Sequence, residues 1–187
     1  MAKGKSKGGG GGGATKSVSE RSYDLAAKNP NYIGNGYGYD AKTVNAYTQE
    51  GYYINAKIME GKLDAQDNAY IKNLNLALSN LPSEPTQSLF RGANLPNTIF
   101  DNLKAGGVIE FPAFTSTTLK HSIAKIMITA SRGKYSTPVV FNITSHKNGK
   151  NIINMSEHKS EAEILFKTGT KWGITSINGY EVNIQEL

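Results

Sequence analysis

Glu161 and Glu163 stand two residues apart in the stretch Ser160-Glu161-Ala162-Glu163-Ile164-Leu165-Phe166. Read with a period of two, Ala162, Ile164 and Phe166 fall on one face, and Glu161, Glu163 and Leu165 on the other. That is the pattern of a half-buried strand. At about 3.3 Å of rise per residue, the two carboxylates would sit roughly 6.5 Å apart along one face. Like charges at that range resist ionising together, so one pKa rises where solvent is scarce. Two carboxylates with split roles are what cleavage of a glycosidic bond requires. Many exposed strands also carry two glutamates without any chemistry, so the pair needs partners from elsewhere in the chain.

Two candidates lie upstream. Arg91 ends a short apolar run and precedes Gly92. A guanidinium is always charged and makes paired bonds to phosphate oxygens. Gly92, lacking a side chain, lets its backbone approach a planar ring. Ser116-Thr117-Thr118 is a run of hydroxyls after Phe114. A hydroxyl both donates and accepts, so Ser116 can hold a carboxylate in place. The plainer readings are an ion-paired strand arginine and, for Thr118, a cap on the following helix.

In this order and with these neighbours, Phe90-Arg91-Gly92, Phe114-Thr115-Ser116-Thr117-Thr118 and Glu161-Ala162-Glu163 resemble the Arg–Ser–Glu class of mono-ADP-ribosyltransferases, in its arginine-specific toxin and phage form. Lys167-Thr168-Gly169-Thr170-Lys171-Trp172 is similar to the turn that follows the carboxylates in that family. Tyr47 to Asn55 resembles the helix before its arginine strand. The resemblance extends over residues 40–187 and implies a set of roles. Arg91 contacts the phosphate or ribose of NAD, and the Gly92 backbone holds the nicotinamide amide. Ser116 positions Glu163, and Thr117 is a structural neighbour counted with Ser116 among the NAD-binding residues. Glu163 bonds the ribose 2′-hydroxyl and stabilises positive charge as the glycosidic bond breaks. Glu161 selects arginine as acceptor, where a glutamine would accompany other acceptors. Arg132, with Met127, is placed near the nicotinamide and phosphate, and Asn55 and Tyr52 near the adenosine. The loop Asn154 to Ser160 would recognise the target. It holds no aromatic residue, which leaves His158 as the stacking candidate.

The implied fold is α+β: one ADP-ribosyltransferase-like domain, an N-terminal helical layer followed by two mainly antiparallel sheets around an NAD cleft. NAD is then a co-substrate, no metal is needed, and the partner is a protein bearing an acceptor arginine. An NAD glycohydrolase and an inactive binding module with the same fold remain open at this point.

The periodicities place these residues on elements. Val44, Tyr47, Gly51, Ile54 and Ile58 recur at three and four from Ala41, an amphipathic helix that Gly61 ends. Asp64, with Asp67 three residues on, caps a second helix with Tyr70, Ile71, Leu74, Ala77, Leu78 and Leu81 on its buried face, closed by Pro82 and Pro85. A strand covers Leu89 to Gly92. A third helix starts at Pro96 and runs to Gly106-Gly107. Val108 to Phe111 is a strand, and residues 121–131 form a helix. Strands follow around Val139 to Ile143, from Asn151 to Met155, at the carboxylates, from Lys171 to Ile177, and from Tyr180 to Gln185 after the Asn178-Gly179 hairpin. Helices first and strands last mean α+β.

Composition narrows the classes. The 187 residues suffice for one domain with a sizeable core. Residues 1–17, rich in Lys and Gly, are expected to be disordered, residues 18–40 an irregular lead-in, and residues 41–187 the catalytic domain. Four of the net six positive charges are Lys3, Lys5, Lys7 and Lys16 in the tail. The remainder is too mildly basic for a nucleic-acid reader, which leaves weak tail contacts at most. No cysteine is present, so disulfide scaffolds, thiolate metal sites and cysteine nucleophiles are excluded. His121, His146 and His158 have no metal-ligand spacing. No apolar run approaches the length of a membrane span or a signal peptide, so the expected place of action is the cytoplasm, its own or a host's.

Overall fold

A computed structural model describes residues 38–83, 88–130, 133 and 135–187. The expected tail, most of the lead-in, Pro85 and Arg132 lie outside the described residues.

Two helices open the described chain, α1 (Gly38–Glu60) and α2 (Ala65–Asn80). Glu50 leaves helical geometry inside α1, at φ −141° and ψ 28°. The next residue, Gly51, leaves room for a ring, since a Cβ there would lie 2.7 Å from the Tyr47 side chain. Asp64 caps α2 as its sequence requires. Its carboxylate accepts from Asp67 N at 2.8 Å, and the Asp67 carboxylate accepts from Asp64 N at 3.0 Å. Lys57 of α1 reaches the same Asp67 carboxylate at 2.6 Å, tying the pair together.

The strands are β1 (Leu89–Pro96), β2 (Val108–Phe111), β3 (Thr115–Thr118), β4 (Ser136–Ser145), β5 (Lys150–Asn151), β6 (Glu163–Phe166), β7 (Thr170–Asn178) and β8 (Glu181–Glu186). Helices α3 (Asn97–Phe100) and α4 (His121–Ala130) interrupt them. The expected third helix is therefore a single turn. Beyond it the backbone joins β7 instead, with Gly106 N donating to Ile174 O at 2.8 Å and Ile174 N to Gly107 O at 2.9 Å. The expected strand from Asn151 to Met155 is also cut short. Met155 N and Ser156 N both donate to Ile152 O at 2.9 Å, which curls the chain after Asn151.

The strand order is β2-β7-β8-β4-β1-β3-β6-β5. Every pairing is antiparallel except β4 with β8, because β8 returns between β7 and β4 after a long excursion. The two expected sheets are hydrogen-bonded into one eight-stranded sheet, and the neck between them is a single pair, Phe90 with Thr118. Five strands lie on one side of this neck and three on the other.

Two cores sandwich the smaller block. Val44, Tyr47 and Ile54 of α1 and Tyr70, Leu74, Ala77 and Leu78 of α2 pack with Phe114, Ile152 and Leu165. On the other face Ile164 and Phe166 join Phe111, Phe141, Trp172 and Ile184. Strand β6 is thus buried on both faces. Each such aliphatic side chain contributes about 1.5–3 kcal/mol by leaving water. This corrects the half-buried reading of the carboxylate strand: the helical layer covers the face that the alternation assigned to solvent.

Candidate active site

Strand β6 starts at Glu163, not at Ser160. Glu161 closes a 3₁₀ turn, Lys159–Glu161, and Ala162 is left-handed at φ 50° and ψ 53°. Positive φ is unfavourable for alanine by about 1–2 kcal/mol. The reversal it makes takes Glu161 off the strand, so the two carboxylates are not successive members of one pleated face. The turn is held from β3. The Thr118 hydroxyl donates to Glu161 O, Leu119 N donates to Ala162 O at 3.2 Å, and Lys120 Nζ donates to Ser160 O at 2.9 Å.

Register then assembles the remaining parts. Thr118 pairs with Glu163, and Ser116 with Leu165. Glu163, Leu165, Ser116 and Thr118 therefore share the face toward α1. Arg91 comes from β1 across the neck, where its Nη1 donates to Ser116 O at 2.8 Å. Its guanidinium also lies 5.0 Å from the centre of the Phe111 ring. Burial pulls Arg91 below its ordinary pKa, opposed by Tyr47 and Glu163.

Arg91, Gly92, Ser116, Thr117, Thr118, Met127, Glu161 and Glu163 line a cleft of about 270 Å³ between β1, β3 and α4. A second cleft of about 710 Å³, largely apolar, runs between α1, β1 and β2 past Asn55, Ile99 and Phe114. Arg91 is the residue common to the two.

Glu163 is buried, with 7% of its surface exposed. Burial raises its carboxyl from the ordinary range to about 7, with Glu161 adding to the rise. The Ser116 hydroxyl, His158 and Arg91 act against it. This carboxyl sits between acid and carboxylate at neutral pH, a property that follows from tertiary burial.

The other expected site residues fall as follows. Gly92 lines the cleft, yet its missing side chain has a further reason: a Cβ there would lie 2.0 Å from Ala124 O of α4. Gly92→Ala should push α4 off β1 and lower stability by about 2–4 kcal/mol, read as a fall in Tm. Thr117 donates its hydroxyl to Ile164 O at 2.7 Å, so its polar atom holds β6 rather than facing the cleft. Thr118 also accepts from Lys120 N at 3.0 Å, a turn just ahead of α4, whose N-cap position is Lys120 rather than Thr118. The amide of Asn55, assigned above to the adenosine, is already bonded within the protein, to Phe114 N, Phe114 O and Tyr47 Oη. Tyr52 is 76% exposed and lines neither cleft. The loop before the carboxylates is pinned to α1 by Asn45 Nδ2, which donates to Met155 O at 2.8 Å and to Glu157 Oε1 at 3.0 Å, while His158 is exposed. Among the described residues no three His, Cys, Asp or Glu side chains are grouped to hold a metal. No described helix is long and apolar enough to cross a membrane.

Sequence reasoning missed Tyr47 as part of the site. Its hydroxyl lies 3.1 Å from Ser116 Oγ, and the ring packs on Phe114 at 5.4 Å. The available signal was a tyrosine on the buried face of an amphipathic helix, whose hydroxyl must find a partner.

An α+β domain whose sheet is necked between β1 and β3, with Arg91, Ser116 and Glu163 meeting at the neck, has the architecture of an ADP-ribosyltransferase. The comparisons agree. The family model for the ADP-ribosyltransferase exoenzyme matches residues 23–186, and the chain belongs to that family. It is 30% identical over 129 residues to the NAD(+)–protein-arginine ADP-ribosyltransferase Tre1 of Pseudomonas putida (strain GB-1), covering 68% of this chain and 24% of that protein. It is 31% identical over 138 residues to Mav of Mycobacterium avium (strain 104), covering 73% of this chain and 16% of that protein. The chain thus spans less than a quarter of either relative. A crystal structure of the ADP-ribosyltransferase Vis, from Vibrio splendidus, superposes with a TM-score of 0.70 at 23% identity, covering 91% of this chain and 84% of that one.

Proposed function

We propose that this domain transfers a single ADP-ribose from NAD to an arginine side chain of a target protein, releasing nicotinamide. The observation that carries this reading is the convergence of a buried, partly ionised Glu163 with Ser116, Arg91 and Glu161 on one cleft. Membership of the family and the name of Tre1 support it.

Each group has a task that its chemistry suits. Arg91, at the junction of the two clefts, offers a fixed charge to the pyrophosphate that links the halves of the dinucleotide. Glu163 as carboxylate accepts from the ribose 2′-hydroxyl and stabilises the positive charge that grows on C1′ as its bond to nicotinamide breaks. Nicotinamide leaves as a neutral molecule. Glu161, on its own turn beside the cleft, orients the incoming guanidinium and takes the proton that this group loses as its nitrogen bonds C1′. Its place outside the strand suits a group that faces an acceptor, while Glu163 faces the sugar. The compartment inferred for this reaction is a cytoplasm, its own or that of a cell into which the domain is delivered.

The test is incubation with labelled NAD and a cell lysate, with agmatine as a small guanidinium acceptor, followed by peptide mapping. Adducts on arginine and agmatine are expected. Free ADP-ribose with no adduct would assign water as the acceptor, and no turnover by folded protein would favour the inactive module.

A pH dependence follows. The raised pKa means that Glu163 is mostly protonated below about 7. Because the carboxylate form is the one that stabilises charge, kcat/KM for nicotinamide release should climb about tenfold per pH unit below that point and level off above it. A rate that is flat from pH 5 to 9 would remove Glu163 from this role.

A further inference from the structure

We propose that Asn55 and Tyr47 are positioning residues that set the direction of the hydrogen bond from Ser116 to Glu163. The proposal rests on the functional reading above for its effect on rate, but the bond direction itself is a property of the unliganded protein.

The direction follows from donor and acceptor chemistry. A backbone N–H only donates and a carbonyl only accepts. Phe114 N donates to Asn55 Oδ1 at 3.1 Å, and Asn55 Nδ2 donates to Phe114 O at 3.1 Å. The Phe114 backbone therefore selects one orientation of the Asn55 amide and rejects its flip. That orientation aims Nδ2 at Tyr47 Oη, 3.0 Å away. An amide nitrogen cannot accept, so Tyr47 Oη is the acceptor there, and its own hydrogen is free to point elsewhere. Ser116 Oγ lies 3.1 Å from Tyr47 Oη. Tyr47 donates to it, and Ser116 is left with its own hydrogen to give to the Glu163 carboxylate. A donated hydrogen bond favours the charged form of a carboxyl, the direction in which Ser116 acts on Glu163. The chain of donors is Asn55, Tyr47, Ser116, Glu163.

The surroundings keep this chain in place. Tyr47 is 3% exposed, so water does not compete for its hydroxyl. Burial, with Glu163 nearby, pushes the phenol up to about 12, so it holds its proton throughout the working range. Its ring occupies the space that Gly51 leaves empty and stands edge-on to Phe114. The anchor and the relay are thus built from one helix and the residue two before Ser116.

Tyr47→Phe keeps the ring and removes the relay. Its expected signature is a Glu163 carboxyl that titrates higher by roughly a few tenths of a pH unit, followed by carbon-13 NMR in unliganded protein, because Ser116 still donates to Glu163 but loses the bond that polarises it. For nicotinamide release, kcat should fall about tenfold, with KM for NAD held within about threefold. In a Ser116→Ala background the same substitution should do nothing further, because the path runs through Ser116. Asn55→Asp replaces the donor by an acceptor and turns the Tyr47 hydroxyl toward residue 55, so it should reproduce the Tyr47→Phe titration. Should Asn55→Asp fail to fold, Tyr47→Phe with and without Ser116 decides alone. An unchanged Glu163 midpoint in Tyr47→Phe, or an equal shift with Ser116 absent, overturns the proposal. A shifted midpoint in a wild-type background that never cleaves NAD keeps the relay and removes the transferase reading. Cleavage of NAD with an unmoved midpoint does the reverse.

Discussion

Glu163→Gln should abolish most cleavage of NAD while leaving a folded protein. Glutamine keeps the shape and offers no negative charge, so the positive ribose in the transition state loses its nearest compensating group. Groups that stabilise developing charge in a water-poor site are worth roughly 10²–10³ in rate, and a decrease of about that size is expected in both nicotinamide release and transfer. The same substitution should affect stability in the opposite direction. Glu163 titrates near 7 in the folded protein, above the ordinary carboxylate range of an unfolded chain. Between those two values the folded state binds the extra proton, so stability falls as pH rises and stays low above 7. A shift of this size corresponds to at most about 3.5 kcal/mol at pH 8. Urea denaturation should show wild type losing stability between pH 5 and pH 8, and Glu163→Gln losing much less. A variant that unfolds more easily than wild type at pH 8 would contradict the burial argument.

Glu161→Ala should separate the two halves of the reaction. Glu161 has been taken off β6 by Ala162, so its removal leaves Ser116, Arg91 and Glu163 in place. Transfer to agmatine should fall about 10²-fold, because an arginine guanidinium with a pKa above about 12 has lost the group that accepts its proton. Nicotinamide release with water as acceptor should fall by less than about tenfold. Parallel assays of nicotinamide and of the agmatine adduct give the ratio directly. Full labelling of agmatine by the variant would assign proton acceptance to another group.

Much of this site was legible in order along the chain. Arg91, Ser116 and Glu163 are each marked by residue type and by the neighbours that resemble the family's motifs, and the structure brings all three to the same cleft. The elements that carry them were legible for local reasons. The three- and four-residue recurrence of Val44, Tyr47 and Ile54 makes a helix, Asp64 with Asp67 starts the next, and Asn178-Gly179 turns a hairpin with Gly179 at φ 58°. These are effects of nearest neighbours, which a sequence states directly.

What the chain alone did not show depends on contacts far apart in sequence. Alternation in Glu161 to Phe166 counts faces without knowing what covers them. It read an exposed face where α1 and α2 bury Leu165. It could not register the left-handed Ala162 either, because nothing in the residue type demands that conformation. The helix expected from Pro96 ends after one turn, where Asn102 N and Leu103 N reach back only three residues to Ile99 O and Phe100 O, and the bonds to β7 begin at Gly106, where that helix was expected to stop. The bonds of the Asn55 amide to the Phe114 backbone, between residues far apart in the chain, were not legible either. By itself the sequence determined the inventory of reactive groups and the helices and turns made by near neighbours. Only the tertiary structure decided which carboxylate is buried, which one stands on a turn, and that Tyr47 meets Ser116. Those properties come from desolvation and from long-range hydrogen bonds, which exist only once distant segments are packed together.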